Sequence, residues 1–376
     1  MSATTPAMSS DPLVMMRSII KRIATGPELS KDIALEEARA GMRFILNAEV
    51  DPVQAAIFLI ALRMKRETDD ENRGVLEAIR EATQTVTAPV DEVVDIADPY
   101  DGFNRSLPAS PFLPAVLAAC GVPAISHGVE SMGPKYGLTH RQVLRAAGMN
   151  VDFSPAQAAA RLGDAAIGWA YVDQQAFCPK LHNLTPLRTL IVKRPVITTV
   201  EVLTGPIRGR KKTHLVTGYV HKPYPRIYAM LARHAGFDSA LLVRGVEGGV
   251  IPSLRQTGKV FYYHDRGEEQ SQEFNPLDLG IDQAVRAPQI PNQAAAEGEG
   301  DAVEANFDAV ALAQIAAQTG HDALAGQAGP TRDSLVYAAA LCLWHLKRYS
   351  SLKNAADAVR QVLDSGKALA HFQHAR

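Results

Sequence analysis

At 376 residues the chain is long enough for two domains and a large core, and 47% hydrophobic with 21% charged residues is ordinary globular composition. A formal net charge of -1, from 39 Lys and Arg against 40 Asp and Glu, excludes a globally basic nucleic-acid binder and a polyacidic chain, so any basic function has to be local. Cys120, Cys178 and Cys342 lie far apart, in apolar contexts and without C-x-x-C spacing, which reads as core thiols in a reducing compartment. No basic-then-apolar leader opens the sequence and no apolar run is long enough to span a bilayer, so the expectation is a cytoplasmic protein with no membrane partner.

The N-terminal third predicts helices with clear punctuation. "LSKDIALEEARAGMRFILNAEV" places Ile33, Leu35, Ala38, Met42, Ile45 and Leu46 on one stripe, with Ser30 as its start signal. "DPVQAAIFLIALRMKRE" opens on Asp51 as N-cap and Pro52 at the first helical position, and its body is apolar nearly all round, which predicts a central helix. "TDDENRGVLEAIREA" begins with a Thr68 to Glu71 capping box. From about Val93 the pattern changes to β-rich runs between helices: "VVDIA", "VPAIS", "AIGWAY", "VITTVEV", "HLVTGYV" and "SALLVR". Such alternation argues for a partly parallel sheet with helices on its faces, an α/β fold. Residues 284–301, "AVRAPQIPNQAAAEGEGD", lack periodicity and read as a mobile loop. "GPTRDSLVYAAALCLWHLKRY" and "SLKNAADAVRQVLDSGKAL" are two apolar-striped helices that close the C-terminus over the α/β core.

Several of these stretches carry a family resemblance. "MRFILNAEVDPVQAAIFLIALRMKRET" resembles the helical domain of the anthranilate phosphoribosyltransferase family, and the two C-terminal stretches resemble its last helices. "AACGVPAISHGVES", "VEVLTGPI" and "HAGFDSALLVRGVEGG" fall between them in family order, so the similarity covers nearly the whole chain. "HGV", "AFCPKL" and "VEGGV" resemble a divergent, YbiB-like branch of this glycosyl transferase family, some members of which bind nucleic acid. The resemblance implies a small helical domain, 1–90, joined later by a helical segment near 173–192, and a large α/β domain, 91–376, with a homodimer formed through the helical part. It also implies a cleft that binds a pyrophosphate-bearing sugar.

The residues in the matching positions depart from that chemistry. Where the active family has a glycine loop, this chain has Asp98-Pro99-Tyr100-Asp101-Gly102, in which two carboxylates would face a pyrophosphate and Pro99 removes a donor. It reads either as a plain strand-to-helix turn or as a carboxylate pair that recruits Mg²⁺. Val250 and Ile251 stand where the resemblance implies metal-binding acids, and Glu247 beside them reads as a solvated turn residue. His127 and Gly128 are kept, but Ser126 replaces a lysine and Glu130 a basic residue. Arg188 matches the arginine that holds anthranilate's carboxylate in the family, and a guanidinium fork suits carboxylate or phosphate. With Asn104, Arg105 and Lys135, these residues form the candidate anion site. No catalytic or metal residue is assigned, and no cofactor is expected unless Mg²⁺ serves a working transferase.

A second candidate surface is basic. Lys193 and Arg194, then Arg208, Arg210, Lys211 and Lys212, make an anion-seeking segment after "VEVLTGP", read as a strand lining the cleft. His221, Lys222 and Arg226 follow it, with Tyr219, Tyr224 and Tyr228 as stacking faces. Two functions therefore stand open. One is a homodimeric binder of nucleic acid or another polyanion, without anthranilate phosphoribosyltransferase activity. The other is an active phosphoribosyltransferase or glycosyltransferase with an altered acceptor.

Overall fold

The structure, a computed structural model, describes residues 11–26, 28–291 and 308–376. The chain forms two compact units, one of Met1–Gln84 with Cys178–Thr204, the other of Thr85–Phe177 with Gly205–Arg376. It begins in the helical unit with α1 (Pro12–Ile23), α2 (Leu35–Leu46), α3 (Pro52–Lys65) and α4 (Asp69–Glu81). The cap of α4 is the one its sequence announces: the Thr68 hydroxyl accepts the Glu71 N–H, and the Glu71 carboxylate accepts the Thr68 N–H. Glu71 also accepts the Ile33 N–H at 2.9 Å and pairs with Lys65 at 2.8 Å, so this buried carboxylate ties three segments together.

Two N-terminal expectations are corrected. Ser30 does not start α2; its hydroxyl closes the preceding turn on Thr25 and Ile23, and Glu37 caps α2 by accepting the Ala34 N–H. Helix α3 is not enclosed on all sides, because Val53 and Met64 are largely exposed while Phe58, Leu59 and Leu62 are buried. Helices α2 and α4 press so close that a Cβ at Gly74 would lie 2.3 Å from the Leu35 carbonyl oxygen.

The chain then enters the α/β unit through β1 (Val86–Thr87), β2 (Glu92–Ala97), α5 (Leu113–Ala119), β3 (Ala124–Gly128), α6 (His140–Ala146), α7 (Pro155–Leu162), β4 (Trp169–Asp173) and α8 (Gln174–Phe177). It returns to the helical unit for α9 (Pro179–His182), α10 (Thr185–Ile191) and α11 (Ile197–Val200), followed by a 3-10 turn at Glu201–Leu203. The run "VITTVEV" is therefore helical, and "VEVLTGP" is helical as far as Leu203 and irregular after it, so neither is a strand. Its β-branched residues are a weak prior that burial of Ile197, Val200 and Leu203 in a helical unit overrides.

Back in the α/β unit come β5 (Ile207–Arg208), β6 (Lys212–Gly218), α12 (Tyr224–His234), β7 (Ser239–Val243), β8 (Gly258–Tyr263) and β9 (Gln270–Phe274). After these follow α13 (Ala309–Leu324), α14 (Pro330–His345), α15 (Leu352–Asp364) and α16 (Lys367–His374). The main sheet runs β4-β3-β2-β6-β7-β8-β9, parallel from β4 to β7 and antiparallel at β8 and β9, and β1 pairs separately with β5. Every residue of β3, β4 and β7 is buried, as parallel strands covered on both faces require. Helix α14 is buried almost throughout and α16 stacks Phe372 on Trp169, ring centroids 5.4 Å apart, so the C-terminal helices do cover the sheet's core. Residues 284–291 carry no helix or strand, and the rest of the loop expected to 301 lies outside the described residues. Among the described residues no helix is long and apolar enough to cross a membrane. Burial pushes the Cys120 thiol up to about 11 and the Cys342 thiol up to about 12, as inert core thiols should be.

Candidate anion site at the sheet's switch point

Strands β3 and β4 lie to one side of β2, and β6 and β7 to the other, so the strand order reverses between β2 and β6. The loops leaving these two strands at their carboxyl ends flank the place where open α/β sheets bind ligands. The loop between β7 and β8 folds over it. A Cβ on Gly218, the last residue of β6, would sit 2.1 Å from the Gly248 carbonyl oxygen, so only glycine allows this approach.

Asp98 does not face this opening with a free carboxylate. One oxygen accepts the Val250 N–H at 2.8 Å, and the other accepts the Ser110 hydroxyl and the His140 Nε2–H, the latter at 2.7 Å. Asp98, Ser110 and His140 are all buried. Val250, in the position of an expected metal ligand, thus offers its backbone to Asp98 and its side chain to the core, where Ile251 packs beside it. Asp101 is buried with its Oδ1 atom 3.5 Å from the Lys135 ammonium. Among the described residues no group of three His, Cys, Asp or Glu side chains is placed to hold a metal ion. With both Asp98 oxygens committed to hydrogen bonds, the donor set does not fit a Mg²⁺ bridge to pyrophosphate.

Glu247 is not a solvated turn residue. Its Oε2 atom accepts the Asn104 N–H at 3.0 Å, and its Oε1 atom accepts the Arg105 N–H at 3.1 Å and the Ser106 hydroxyl at 2.7 Å. Its backbone has φ 53° and ψ 18°, the left-handed region that a residue with a Cβ rarely adopts. Lys135 donates to the Glu247 carbonyl at 3.1 Å and to the Gly102 carbonyl at 3.0 Å, fastening the two loops together. Asn104, Arg105 and Lys135 are therefore brought to one place, around the protein's own carboxylate.

His127 is directed into the core. Its Nε2–H donates to Asp95 at 2.8 Å and its Nδ1 accepts the Tyr100 hydroxyl at 2.5 Å, the acceptor-only carboxylate fixing the tautomer. Gly128 ends β3 against Tyr171, and Ser126 is buried beside it. Burial alone would push the Glu130 carboxyl up, but hydrogen bonds and charge from Arg145 and Arg141 reverse this and hold it below the ordinary range.

Arg188, in the helical unit, is buried and forms a two-pronged pair with Glu201, both contacts at 2.7 Å. Lys193, exposed, and Arg194, half-buried, belong to the same unit. The segment 208–212 runs from β5 into the first residue of β6 and so lies at the amino end of that strand, opposite the end that carries Asp98 and Glu247; the expectation that it follows a strand lining the cleft is corrected. Arg208 lies 4.1 Å from the Phe237 ring centroid and donates to the Gly205 and Ala235 carbonyls. Lys211 pairs with Asp91 at 2.7 Å and Lys212 with Asp265 at 2.9 Å, leaving Arg210 exposed between them. Tyr219 is buried, with its phenol pushed up to about 12 by that burial, and is no stacking face; Tyr224 and Tyr228 pack on each other at 5.6 Å.

Other cations crown the switch-point edge. Arg105 follows β2, Lys222 follows β6, Arg244 and Arg255 lie between β7 and β8, and all are exposed. Arg286 joins them because its carbonyl accepts the Leu254 N–H at 2.9 Å. The sequence names Arg105 and Lys222, but not the seat of Glu247 nor the gathering of those two cations with Arg244, Arg255 and Arg286, since both bring together loops far apart in the chain.

Comparison with known proteins agrees with this architecture. The helical bundle domain of the glycosyl transferase family matches residues 17–83 and its a/b domain matches residues 98–369. Anthranilate phosphoribosyltransferase of Rhodopseudomonas palustris (strain BisA53) is 27% identical over 361 residues, covering 96% of this chain and 97% of the relative. The solved enzyme of Thermus thermophilus superposes with a TM-score of 0.71 at 20% identity, covering 96% of this chain and 97% of that one. The enzyme of Saccharomyces cerevisiae in complex with PRPP and Mg gives 0.74 at 16% identity, covering 98% and 97%. Two matching domains in order, spanning most of the chain over a helical unit and a seven-stranded α/β unit, make this protein a member of the glycosyl transferase family, similar in fold to the anthranilate phosphoribosyltransferases.

Proposed function

We propose that this chain binds polyanions, nucleic acid among them, and does not transfer phosphoribose to anthranilate. The observation that carries the reading is the Glu247 carboxylate seated on the Asn104 and Arg105 N–H groups and the Ser106 hydroxyl. A pyrophosphate brought to that edge meets a fixed negative charge, while Asp98 is committed to Val250, Ser110 and His140. The Arg188 fork, committed to Glu201, supports the same conclusion for an anthranilate carboxylate.

Polyanion binding is supported by the exposed cations Arg105, Lys222, Arg244, Arg255 and Arg286 more than by residues 208–212, whose lysines already have acidic partners. Contacts of this kind read phosphates and carry no base sequence. Exposed Leu13, Val14, Val53, Leu190 and Val192 on the helical unit favour a homodimer, which would present two such crowns.

The test has two arms. Purified protein with anthranilate, PRPP and Mg²⁺ should give no turnover. A labelled oligonucleotide should bind with an affinity that falls steeply with salt, and an Arg105→Ala/Arg244→Ala/Arg255→Ala variant should lower the slope of log K against log salt by roughly 2 to 3. Robust turnover would overturn the reading in favour of a working transferase, which the full-length similarity to anthranilate phosphoribosyltransferases favours.

A further inference from the structure

We propose that the outer edge of β9 accepts an added antiparallel strand from a partner protein, an extended cationic segment that sets lysine or arginine opposite Glu269 and Glu273. Strand β9 ends the seven-stranded sheet, with β8 on one side and, among the described residues, no strand on the other. Its pairing with β8 runs unbroken from Gln270 with Tyr262 to Phe274 with Gly258, and it carries neither a proline nor a bulge. Charge is the one device left to decide what pairs with such an edge. The ladder fixes the direction of its backbone groups. The Lys259 carbonyl accepts the Arg244 N–H, so Lys259 and Phe261 turn their backbone groups toward β7, and Val260 and Tyr262 turn theirs toward β9. Gln272 and Gln270, paired with Val260 and Tyr262, therefore face inward, and Ser271 and Glu273 direct N–H and C=O outward. The Glu273 carbonyl accepts the exposed side-chain amide of Gln272 at 3.2 Å, a local contact that an incoming N–H can replace.

The side chains select the occupant. Residues 267–275 hold Glu268, Glu269 and Glu273, all exposed, and no lysine or arginine. Lys259 reaches Glu273 at 3.8 Å with both side chains exposed, a pairing that contributes little. Partial burial outweighs the attraction of Arg233 and Arg226 and holds the Glu269 carboxyl above its ordinary value, so a further cation beside it is favourable. A second copy fits poorly. A twofold register centred on Ser271 sets Glu269 directly opposite a second Glu273, and one centred on Gln272 sets the two Glu273 side chains diagonally. On the other face of the strand, Phe274 is half-buried against Trp344, ring centroids 5.0 Å apart, and leaves an aromatic step at the edge. An antiparallel partner therefore reads as an apolar residue opposite Phe274, a basic one next to it, and a second basic one four residues further on.

The experiment titrates the isotope-labelled full chain with an acetylated Val-Lys-Thr-Thr-Thr-Lys peptide and follows backbone amide shifts by NMR. Saturable shifts centred on residues 269–274 are expected, with a dissociation constant below about 1 mM. A peptide with both lysines replaced by glutamate should bind at least about tenfold more weakly, and a Glu269→Gln/Glu273→Gln chain should lose about threefold or more toward the lysine peptide. Ser271→Pro removes an outward N–H and leaves the bonds to β8 in place, so this variant should keep the parent's fold and lose binding. Absence of shifts at β9 up to about 1 mM peptide overturns the proposal. So does equal affinity for the glutamate peptide, or binding that survives Ser271→Pro. If Ser271→Pro disturbs the sheet, the double glutamine variant, which alters exposed side chains alone, decides by retaining or losing affinity. Self-association of the parent that Ser271→Pro abolishes would give the edge to a second copy and overturn the proposal equally.

Discussion

At the scale of single residues, the candidate anion site is defined by which polar groups are already partnered. Arg188 shows this most clearly, because its fork and the Glu201 carboxylate are both buried and face each other at 2.7 Å. Truncating one partner leaves the other charge in a low-dielectric site, so Arg188→Ala should destabilise the protein by about 3–5 kcal/mol. Arg188→Met combined with Glu201→Leu should recover most of that loss, which urea unfolding of the two variants would read directly. If Arg188→Ala were silent in stability, the pair would be open to ligand. Arg188 was legible as a guanidinium in a family position, but its partner was not, since Glu201 lies on a run that the sequence presents as a strand.

Secondary-structure elements are set by caps and by close approaches, and their joints hold buried histidines. The Ser239 hydroxyl, on β7, lies 2.7 Å from His214 on β6 and 2.8 Å from His345 at the end of α14. His264 stacks on His345 with ring centroids 4.6 Å apart, while Glu92 and Arg348 flank the group. Burial, against the opposing charge of Glu92, lowers His214 to about 4, and burial with neighbouring positive charge lowers His345 well below its ordinary value. The unfolded chain therefore takes up protons near pH 6.5 while the folded one resists until about 4, so stability is full above 6.5 and lost as pH falls through that window. His214 alone contributes on the order of 3 kcal/mol to this loss, and a thermal-melting series over pH should show a shallower slope in His214→Gln. Local signals set other joints. Thr68→Ala should remove the cap of α4 and about 1 kcal/mol of stability. Gly74→Ala should be worse, because its Cβ would meet the Leu35 carbonyl at 2.3 Å.

For the whole molecule, the division into units follows from a chain that leaves the helical unit and comes back. Leu181, Val196, Ile197, Val200 and Leu203 of the returning segment are buried, so residues 11–84 alone lack part of their core. A fragment of 11–84 should show reduced helicity and a broad thermal transition by circular dichroism, and a version with 178–204 linked to its end should melt cooperatively. A fragment of 11–84 that melts sharply by itself would mean the returning segment adds little.

The sequence by itself determined what is local. The caps at Asp51 and Thr68, the apolar stripes of the terminal helices and the buried runs of β2, β3, β4, β6 and β7 depend on neighbours within a few residues, so periodicity and capping chemistry expose them. It also determined the family, because motifs in order survive when individual ligands do not. Only the tertiary structure decided the run 197–203, where burial in a helical unit outweighed β-branched propensity. It alone decided the site too. Glu247 meets Asn104 across a separation of 143 residues and Asp98 meets Val250 across 152, and no local pattern specifies which distant carboxylate will accept from a given pair of backbone N–H and hydroxyl donors. That choice is made when the loops at the carboxyl edge pack and each buried polar group has to find a partner.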